Sequence, residues 1–249
     1  MKTTNPALST KVLKQFGRPG EIYRGEPMTV EGAVNKTAFL LFLVAVPAAW
    51  LWTEVFRTQA LDTAAPWMVG GLVGGLVAAI VTILKKEWAP VTAPIYAACE
   101  GLAIGGLSAV LELQYRGIVI QAVALTFGTM LCMLVAYRTG VIRVTDKFRL
   151  GVVAATGGIA LLYVMTFVLG LFHISVPFVF GGGTAGIVIS LVIVGVAALN
   201  LVLDFDFIDQ AAQAGAPKYV EWYAAFGLMV TLIWLYLELL RLLGNLRRR

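Results

Sequence analysis

Residues 187–203 read IVISLVIVGVAALNLVL, an apolar run without a charged side chain. Residues 66–84, PWMVGGLVGGLVAAIVTIL, have the same character. A helix needs about 20 mostly apolar residues to cross the hydrocarbon core of a bilayer. Both runs reach that length with their flanks, and we therefore predict an integral membrane protein.

The composition agrees with this prediction. Hydrophobic residues make up 59% of the 249 residues and charged residues 13%, whereas soluble domains average roughly half and a quarter. A soluble protein of this length would lack the polar surface to cover so much apolar side chain. The basic residues behind the net charge of +5 lie mostly at the ends of apolar runs. They form no patch interleaved with aromatics, so we expect no nucleic acid partner.

Apolar runs of spanning length follow one another along the chain, at about residues 38–56, 66–84, 90–112, 117–137, 150–172, 183–204 and 220–243. The connections are short, so neighbouring helices must be antiparallel within one bundle. We predict an all-α, polytopic membrane helix bundle with seven transmembrane helices. Residues 1–36 form a cytoplasmic N-terminal segment and residues 37–249 the transmembrane domain.

Glycines are frequent within these spans. The second span holds Gly70, Gly71, Gly74 and Gly75, and the third holds Gly101, Gly105 and Gly106. Small residues let helix backbones approach closely in lipid, where packing replaces the hydrophobic effect as the source of association. We predict close helix contacts at these positions.

Lys and Arg residues orient the bundle, because short cytoplasmic loops carry an excess of them. The N-terminal segment holds six, and the loops after spans two, four and six hold two, four and one. The loops after spans one, three and five hold one, one and none. The N-terminus is therefore predicted to be cytoplasmic. Seven spans would put Arg247, Arg248 and Arg249 outside, so either this short tail is tolerated there, or the last segment is re-entrant and the span count is six.

Glu100 lies near the middle of the third predicted span. A charged side chain there costs about 2.5–3.5 kcal/mol on insertion scales, so it should face the bundle interior and have a partner. Two interpretations stay open. Glu100 is either a protonated carboxyl that fastens neighbouring helices, or a group on an ion or proton path.

A second polar cluster ends the sixth predicted span: Asn200, Asp204, Asp206 and Asp209. Asn200 and Asp204 share a helix face, whereas Asp206 lies about 200° around the helix from Asp204. The cluster is either a solvated helix end, which we favour for Asp209, or a pore mouth or cation site, which the apolar run before Asp204 favours. Two carboxylates in a poorly hydrated pocket repel, so a proton, a divalent cation or an arginine would have to neutralise one of them. Such a site would respond to both pH and calcium.

The motifs of common enzyme classes are missing from the sequence. His173 is the single histidine, and no HExxH, GxSxG or dinucleotide fingerprint occurs. Cys99 and Cys132 show no metal-ligand spacing. We expect no enzyme activity and no cofactor. A solute transporter is disfavoured, since no internal repeat is evident.

Several segments resemble the transmembrane Bax inhibitor motif family, in particular its bacterial Bax inhibitor-1/YccA-like branch. They are MTVEGAVNKT (28–37), PIYAACEGL (94–102), RTGVIR (138–143), AATGG (154–158), LNLVLDFDF (199–207) and AGAPKYVEWYAA (214–225). Their order and spacing carry the resemblance, which covers almost everything after residue 27.

The resemblance implies a seven-helix bundle in which the last helix is enclosed by the others. It also implies a calcium leak gated by protonation of aspartates near the inner mouth. Asp204 matches the family's sixth-helix aspartate, and Asp206 replaces a glutamine. The partner aspartate would fall near Leu228 or Met229, neither of which is acidic. Asp206 or Glu100 is then expected to supply the second carboxylate.

We therefore expect a pH-sensitive calcium (cation) leak channel of the bacterial inner (plasma) membrane. Asp204, Asp206, Glu100 and Asn200 are the expected path and gate residues, with Asp204 and Asp206 as candidate calcium ligands. Calcium is expected as the permeant ion and the lipid bilayer as a partner. The alternative is a modulator or partner of a membrane-embedded AAA protease, without transport activity.

Overall fold

The computed structural model describes residues 26–58, 61–172 and 183–248. Within these ranges it contains seven long helices, a short 3-10 helix (Lys86–Trp88) and no β-strand. The long helices are α1 (Val30–Thr58), α2 (Leu61–Leu84), α3 (Ala89–Gln114), α4 (Ile118–Arg138), α5 (Asp146–Leu171), α6 (Thr184–Gln213) and α7 (Val220–Arg247). Each contains a stretch long and apolar enough to cross a membrane, which confirms the predicted all-α polytopic bundle.

The odd-numbered helices begin at one end of the bundle, which we call the proximal end, and the even-numbered helices finish there. At this end the backbone N–H of Met28, just before α1, donates to the carbonyl of Ala216, just before α7, at 2.8 Å. At the opposite, distal end the Arg247 guanidinium donates to the carbonyl of Arg116 at 2.8 Å. These contacts join segments that are far apart in the sequence.

Helix α7 is the central helix of the bundle. It packs against α1, α3, α4 and α6, and 56% of its most apolar stretch is buried, against 6% for α5. The helix runs without a break from Val220 to Arg247, whereas a re-entrant segment must turn back inside the membrane. The alternative count of six spans is therefore wrong, and the enclosed last helix is confirmed.

Two helices extend well beyond the apolar runs that predicted them. Helix α1 begins at Val30 rather than near residue 38, because the Thr29 hydroxyl accepts a hydrogen bond from the Gly32 N–H at 2.9 Å and caps the first turn. Helix α6 continues past Asp204 to Gln213. Hydropathy identifies only the part of a helix that lies in hydrocarbon, and capped or paired polar residues let the helix continue outside it.

Helix α3 lies against α1 and α2 at very short distances. A Cβ atom built at Gly105 of α3 would lie 2.5 Å from the Cα of Ala48 on α1. One built at Gly71 of α2 would lie 2.5 Å from the carbonyl oxygen of Cys99 on α3. Side chains cannot occupy either position without moving a helix, so the close contacts predicted from the glycines are confirmed here. Gly70, by contrast, has no neighbouring atom within 4 Å of its Cβ position.

Candidate functional site at the α6–α7 interface

Asp204 is held inside the bundle, between α6 and α7. It lies nine residues before the end of α6 at Gln213, which places it roughly 14 Å from that helix end at 1.5 Å per residue. Its Oδ2 atom is buried and has no hydrogen-bond partner. Among the unpartnered buried polar side chains of the described ranges, Asp204 is the only ionisable one. An ionisable group inside a membrane bundle is a functional-site candidate on physical grounds, because such groups are costly.

Gly227 and Thr231 of α7 face Asp204. A Cβ atom built at Gly227 would lie 4.0 Å from Asp204 Oδ1, so the missing side chain leaves room beside the carboxyl. The Thr231 side chain interacts with Asp204, and its hydroxyl also donates to the Gly227 carbonyl at 3.2 Å. Leu228 and Met229, where the resemblance implies a partner aspartate, belong to the apolar core and are 5% and 0% exposed. Asp204 therefore faces a glycine and a threonine on α7.

Asp206 points away from Asp204, toward α5. Its Oδ2 atom accepts a hydrogen bond from the Arg149 guanidinium at 2.6 Å and one from the Gln210 amide at 2.7 Å. The structure thus gives the two aspartates different neighbours, as their angular separation on the helix requires. Within residues 26–58, 61–172 and 183–248 no three His, Cys, Asp or Glu side chains are grouped so that they could hold a metal ion. A calcium site shared by Asp204 and Asp206 is not assembled in this arrangement.

Asn200 and Asp209 also have partners on neighbouring helices. The Asn200 amide donates to the Thr156 hydroxyl of α5 at 2.8 Å and to the carbonyl of Val196 at 2.9 Å. Asp209 accepts a hydrogen bond from the Tyr137 hydroxyl at 3.0 Å, and its side chain is only 20% exposed. Asp209 is therefore a packed and paired residue, and the interpretation of it as a solvated helix end is wrong.

Glu100 lies at a different interface, between α3 and α2. A Cβ atom built at Gly75 of α2 would lie 3.2 Å from Glu100 Oε2. The Tyr96 side chain, one turn earlier on α3, interacts with Glu100. The Tyr96 ring in turn packs edge-on against Phe226 of α7, with 5.1 Å between the ring centroids. These contacts favour the interpretation in which Glu100 fastens helices together.

Helix α5 is attached to the bundle by a series of polar contacts. Three side chains spaced seven residues apart lie on its inward face: Arg149, Thr156 and Tyr163. Their partners on α6 and α7 are Asp206, Asn200 and Glu238, in that order. Seven residues make almost two complete turns, so this spacing aligns the three groups on one face. The spacing is visible in the sequence, but we did not predict the contacts because the partners lie on other helices.

Glu221 joins the start of α7 to the start of α1 and was not predicted as a site residue. Its carboxylate is 0% exposed and forms an ion pair with Lys36. It accepts hydrogen bonds from the Thr29 N–H at 2.9 Å and the Thr29 hydroxyl at 3.2 Å, and it pairs with Lys218 at 3.2 Å. The hydrogen bond to Glu221 raises the pKa of Lys218. A Cβ atom at Gly32 would overlap the Glu221 carboxylate, so the two segments 28–37 and 214–225 fit each other closely.

Seven membrane-spanning helices form a bundle with α7 at its centre, and one carboxylate oxygen of Asp204 is buried against α7 without a hydrogen-bond partner. These features define a polytopic membrane protein. The chain belongs to the Bax inhibitor 1 like family, whose model matches residues 5–248. No curated protein and no solved structure matches the chain.

Proposed function

We propose that this Bax inhibitor 1 like protein is a pH-sensitive passive leak for cations, calcium in particular, with Asp204 at its gate. The observation that supports the proposal is the burial of the Asp204 carboxyl against α7 without a partner for Oδ2. In this proposal the proximal end faces the cytoplasm of a bacterial cell, and the protein lies in the inner membrane. Glu100 and Asn200 fasten the helices around the path, and Asp206 holds α5 through Arg149.

The gate works through the charge on one carboxyl. With a proton bound, Asp204 is neutral and the α6–α7 interface is compatible with an apolar, tightly packed state. Without the proton, the Asp204 charge disfavours the closed interface by up to about 2.5–3.5 kcal/mol, which is the cost at the centre of a span. This upper bound corresponds to a factor of at most roughly 70 to 400 in the population of the closed interface. Water or a cation then enters beside Gly227, where no side chain fills the space. A proton and a cation compete for the same carboxyl, so the cation flux rises as the pH rises.

The test is calcium flux into liposomes that contain the purified protein and a trapped calcium indicator, across a pH series. We expect flux above that of protein-free liposomes, increasing with pH, and an Asp204→Asn variant with low flux and no pH dependence. Asp209→Asn is the matched control, because Asp209 lies on the same helix with a tyrosine partner. A flux equal to that of protein-free liposomes, or a pH profile unchanged by Asp204→Asn, contradicts the proposal.

A second variant tests the position opposite the gate. Gly227→Asp places a carboxyl beside Asp204, where Asp204 Oδ1 is 4.0 Å from the Cβ position. Two carboxylates this close bind calcium better than one and share a proton when calcium is absent. We expect calcium to inhibit monovalent cation flux through this variant at lower concentrations than in the unmodified protein. Equal calcium sensitivity would show that Gly227 and Asp204 do not line a common path.

The alternative function is that of a partner of a membrane-embedded AAA protease. A truncation of the N-terminal segment distinguishes this function from a leak. Residues 26–28 belong to the contacts at the proximal end, since Met28 bonds to Ala216 and Glu26 lies 3.6 Å from Lys218. Deletion of residues 2–25 therefore keeps the residues that form these contacts. A leak predicts unchanged flux after the deletion. Loss of co-purification with the protease, combined with no flux in either form, supports the alternative instead.

A further inference from the structure

A groove separates α1 from α4 on the side of the bundle. Its main part is a cavity of about 540 Å³. Six of its lining residues define the walls and floor: Val44 and Ala48 on α1, Val123 and Phe127 on α4, and Leu232 and Tyr236 on α7. Phe127 is 42% exposed, whereas Leu232 is 3% exposed. The groove therefore opens toward the surroundings of the bundle at α4 and reaches the central helix at its floor.

The groove continues toward the proximal end as a second cavity of about 300 Å³. Leu41 and Phe127 line both cavities, so the two are adjacent. The second cavity ends at Tyr137 and Arg138, the last residues of α4. From Val123 to Arg138 the groove follows α4 for roughly 22 Å at 1.5 Å per residue. One leaflet of the hydrocarbon core is about 15 Å thick, so the groove is long enough for an extended acyl chain.

The hydroxyl groups along the groove are already hydrogen-bonded within the protein. The Ser108 and Tyr236 hydroxyls bond to each other at 2.7 Å. The Thr126 and Thr37 hydroxyls donate to carbonyls of their own helices at 2.8 Å and 2.9 Å. A trapped water needs about 2–4 polar partners, which these walls do not offer. Hydrocarbon fits the surface, and the medium next to the exposed faces of α1 and α4 is lipid.

The proximal end of the groove carries a cation. The Arg138 side chain is 59% exposed, and its contact with Asp209 is long, at 3.8 Å. Asp209 also lines the second cavity, and it accepts a hydrogen bond from the Tyr137 hydroxyl at 3.0 Å. The loop that follows adds Arg143, and the first turn of α5 adds Lys147. A basic helix end at the membrane surface attracts anionic lipid headgroups.

We propose that the α1–α4 groove binds one acyl chain of an anionic phospholipid, whose phosphate is bound by Arg138 in the leaflet at the proximal end. The occupant follows from three features: an apolar wall open to the bilayer, a length that suits an acyl chain, and a cation where the headgroup lies. The site is independent of the leak, because Asp204 lines neither cavity.

The first experiment uses the unmodified full-length protein. Nanodiscs of phosphatidylcholine and phosphatidylglycerol contain a trace of phosphatidylglycerol with a photoactivatable diazirine in its acyl chain, and adducts are mapped by mass spectrometry. Adducts on the α7 peptide with Leu232 and Tyr236 report the groove, because the 3% exposure of Leu232 shields it from the surrounding bilayer. We expect such adducts. Labelling restricted to outer faces, such as that of α5, overturns the proposal.

Two pairs of variants test the site further. Ala45→Trp fills the groove, whereas Val46→Trp lies on the neighbouring, 52% exposed face of α1. We expect loss of α7 adducts in the first variant only. Arg138→Gln should lower α7 labelling by phosphatidylglycerol about fivefold. Labelling by phosphatidylcholine should fall less, because its choline cation offsets the charge of its phosphate, and Arg143→Gln should have a smaller effect on both lipids. Size-exclusion profiles check folding. If Ala45→Trp fails to fold, the α7 adducts of the unmodified protein and the comparison of Arg138→Gln with Arg143→Gln still test the proposal. Unchanged phosphatidylglycerol labelling in Arg138→Gln would refute the binding of the headgroup by Arg138.

Discussion

Removal of the Glu221 carboxylate, which pairs with Lys36, should destabilise the proximal end. Glu221 is fully buried and has contacts with Thr29, Lys36 and Lys218. Removal of one partner of a buried ion pair costs about 3–5 kcal/mol, since the other charge is left without compensation. Here Lys36 and Lys218 keep 20% and 43% of their side chains exposed, so water can solvate them in part. We therefore expect the lower value, about 3 kcal/mol, for Glu221→Ala.

The Glu221→Gln variant separates charge from shape. Glutamine can still accept the two hydrogen bonds from Thr29, but it loses the charge that pairs with the lysines. The difference between charge-assisted and neutral hydrogen bonds predicts a smaller loss, about 1–2 kcal/mol. A double-mutant cycle with Lys36→Met should return a coupling energy smaller than this loss, because Glu221→Gln also weakens the ion pair with Lys218.

The assay is thermal unfolding of the purified protein in detergent, followed by circular dichroism. For a chain of this length 1 kcal/mol corresponds to roughly 2–4 °C, so Glu221→Ala should unfold roughly 6–12 °C lower. Glu54→Ala is the matched control. Glu54 pairs with Arg57 at 2.8 Å in an exposed contact, and exposed pairs contribute about 0–1 kcal/mol. If the unfolding temperature of Glu221→Ala is no lower than that of Glu54→Ala, the reasoning about the buried pair is refuted.

Two further predictions concern helix packing. Gly105→Ala should lower the unfolding temperature markedly, because the new Cβ would lie 2.5 Å from the Cα of Ala48. Gly70→Ala is the control and should not lower it, since the space at its Cβ position is open. Equal unfolding temperatures of the two variants would contradict the close α1–α3 contact. Tyr163→Phe removes the hydroxyl that donates to Glu238 and should lower the free energy of unfolding by about 1–3 kcal/mol. Amide hydrogen exchange should become faster in α5 only. Unchanged exchange would show that the polar contacts do not hold this helix.

The apolar runs predicted the membrane-spanning part of every helix because hydrocarbon imposes the same length on each span. Glycine positions such as Gly105 likewise predicted close contacts, since a small residue is needed wherever two backbones meet. The full extent of α1 and α6 was missed. Their outer turns are polar and depend on partners, such as Thr29 for the first turn of α1, which hydropathy does not register.

The candidate site was predicted in part. The helical period placed Asp204 and Asp206 on different faces of α6, and the structure agrees. The helical period does not determine which face of α6 meets α7. We therefore did not predict that Asp206 pairs with Arg149 at 2.6 Å or that Asp209 bonds to Tyr137 at 3.0 Å. Glu221 was not predicted as a site residue for the same reason.

The sequence alone determined the class of protein, the approximate positions of its helices, their antiparallel order, and the angles between side chains on any one helix. These follow from local quantities: apolar length, the 3.6-residue turn and the size of each side chain. Only the tertiary structure decided how each helix is rotated against its neighbours, and hence that Asp204 faces Gly227 and that Lys36 meets Glu221. Rotation depends on the summed fit of many contacts between distant segments, and lipid solvates every apolar face equally well, so no single stretch of sequence contains that information.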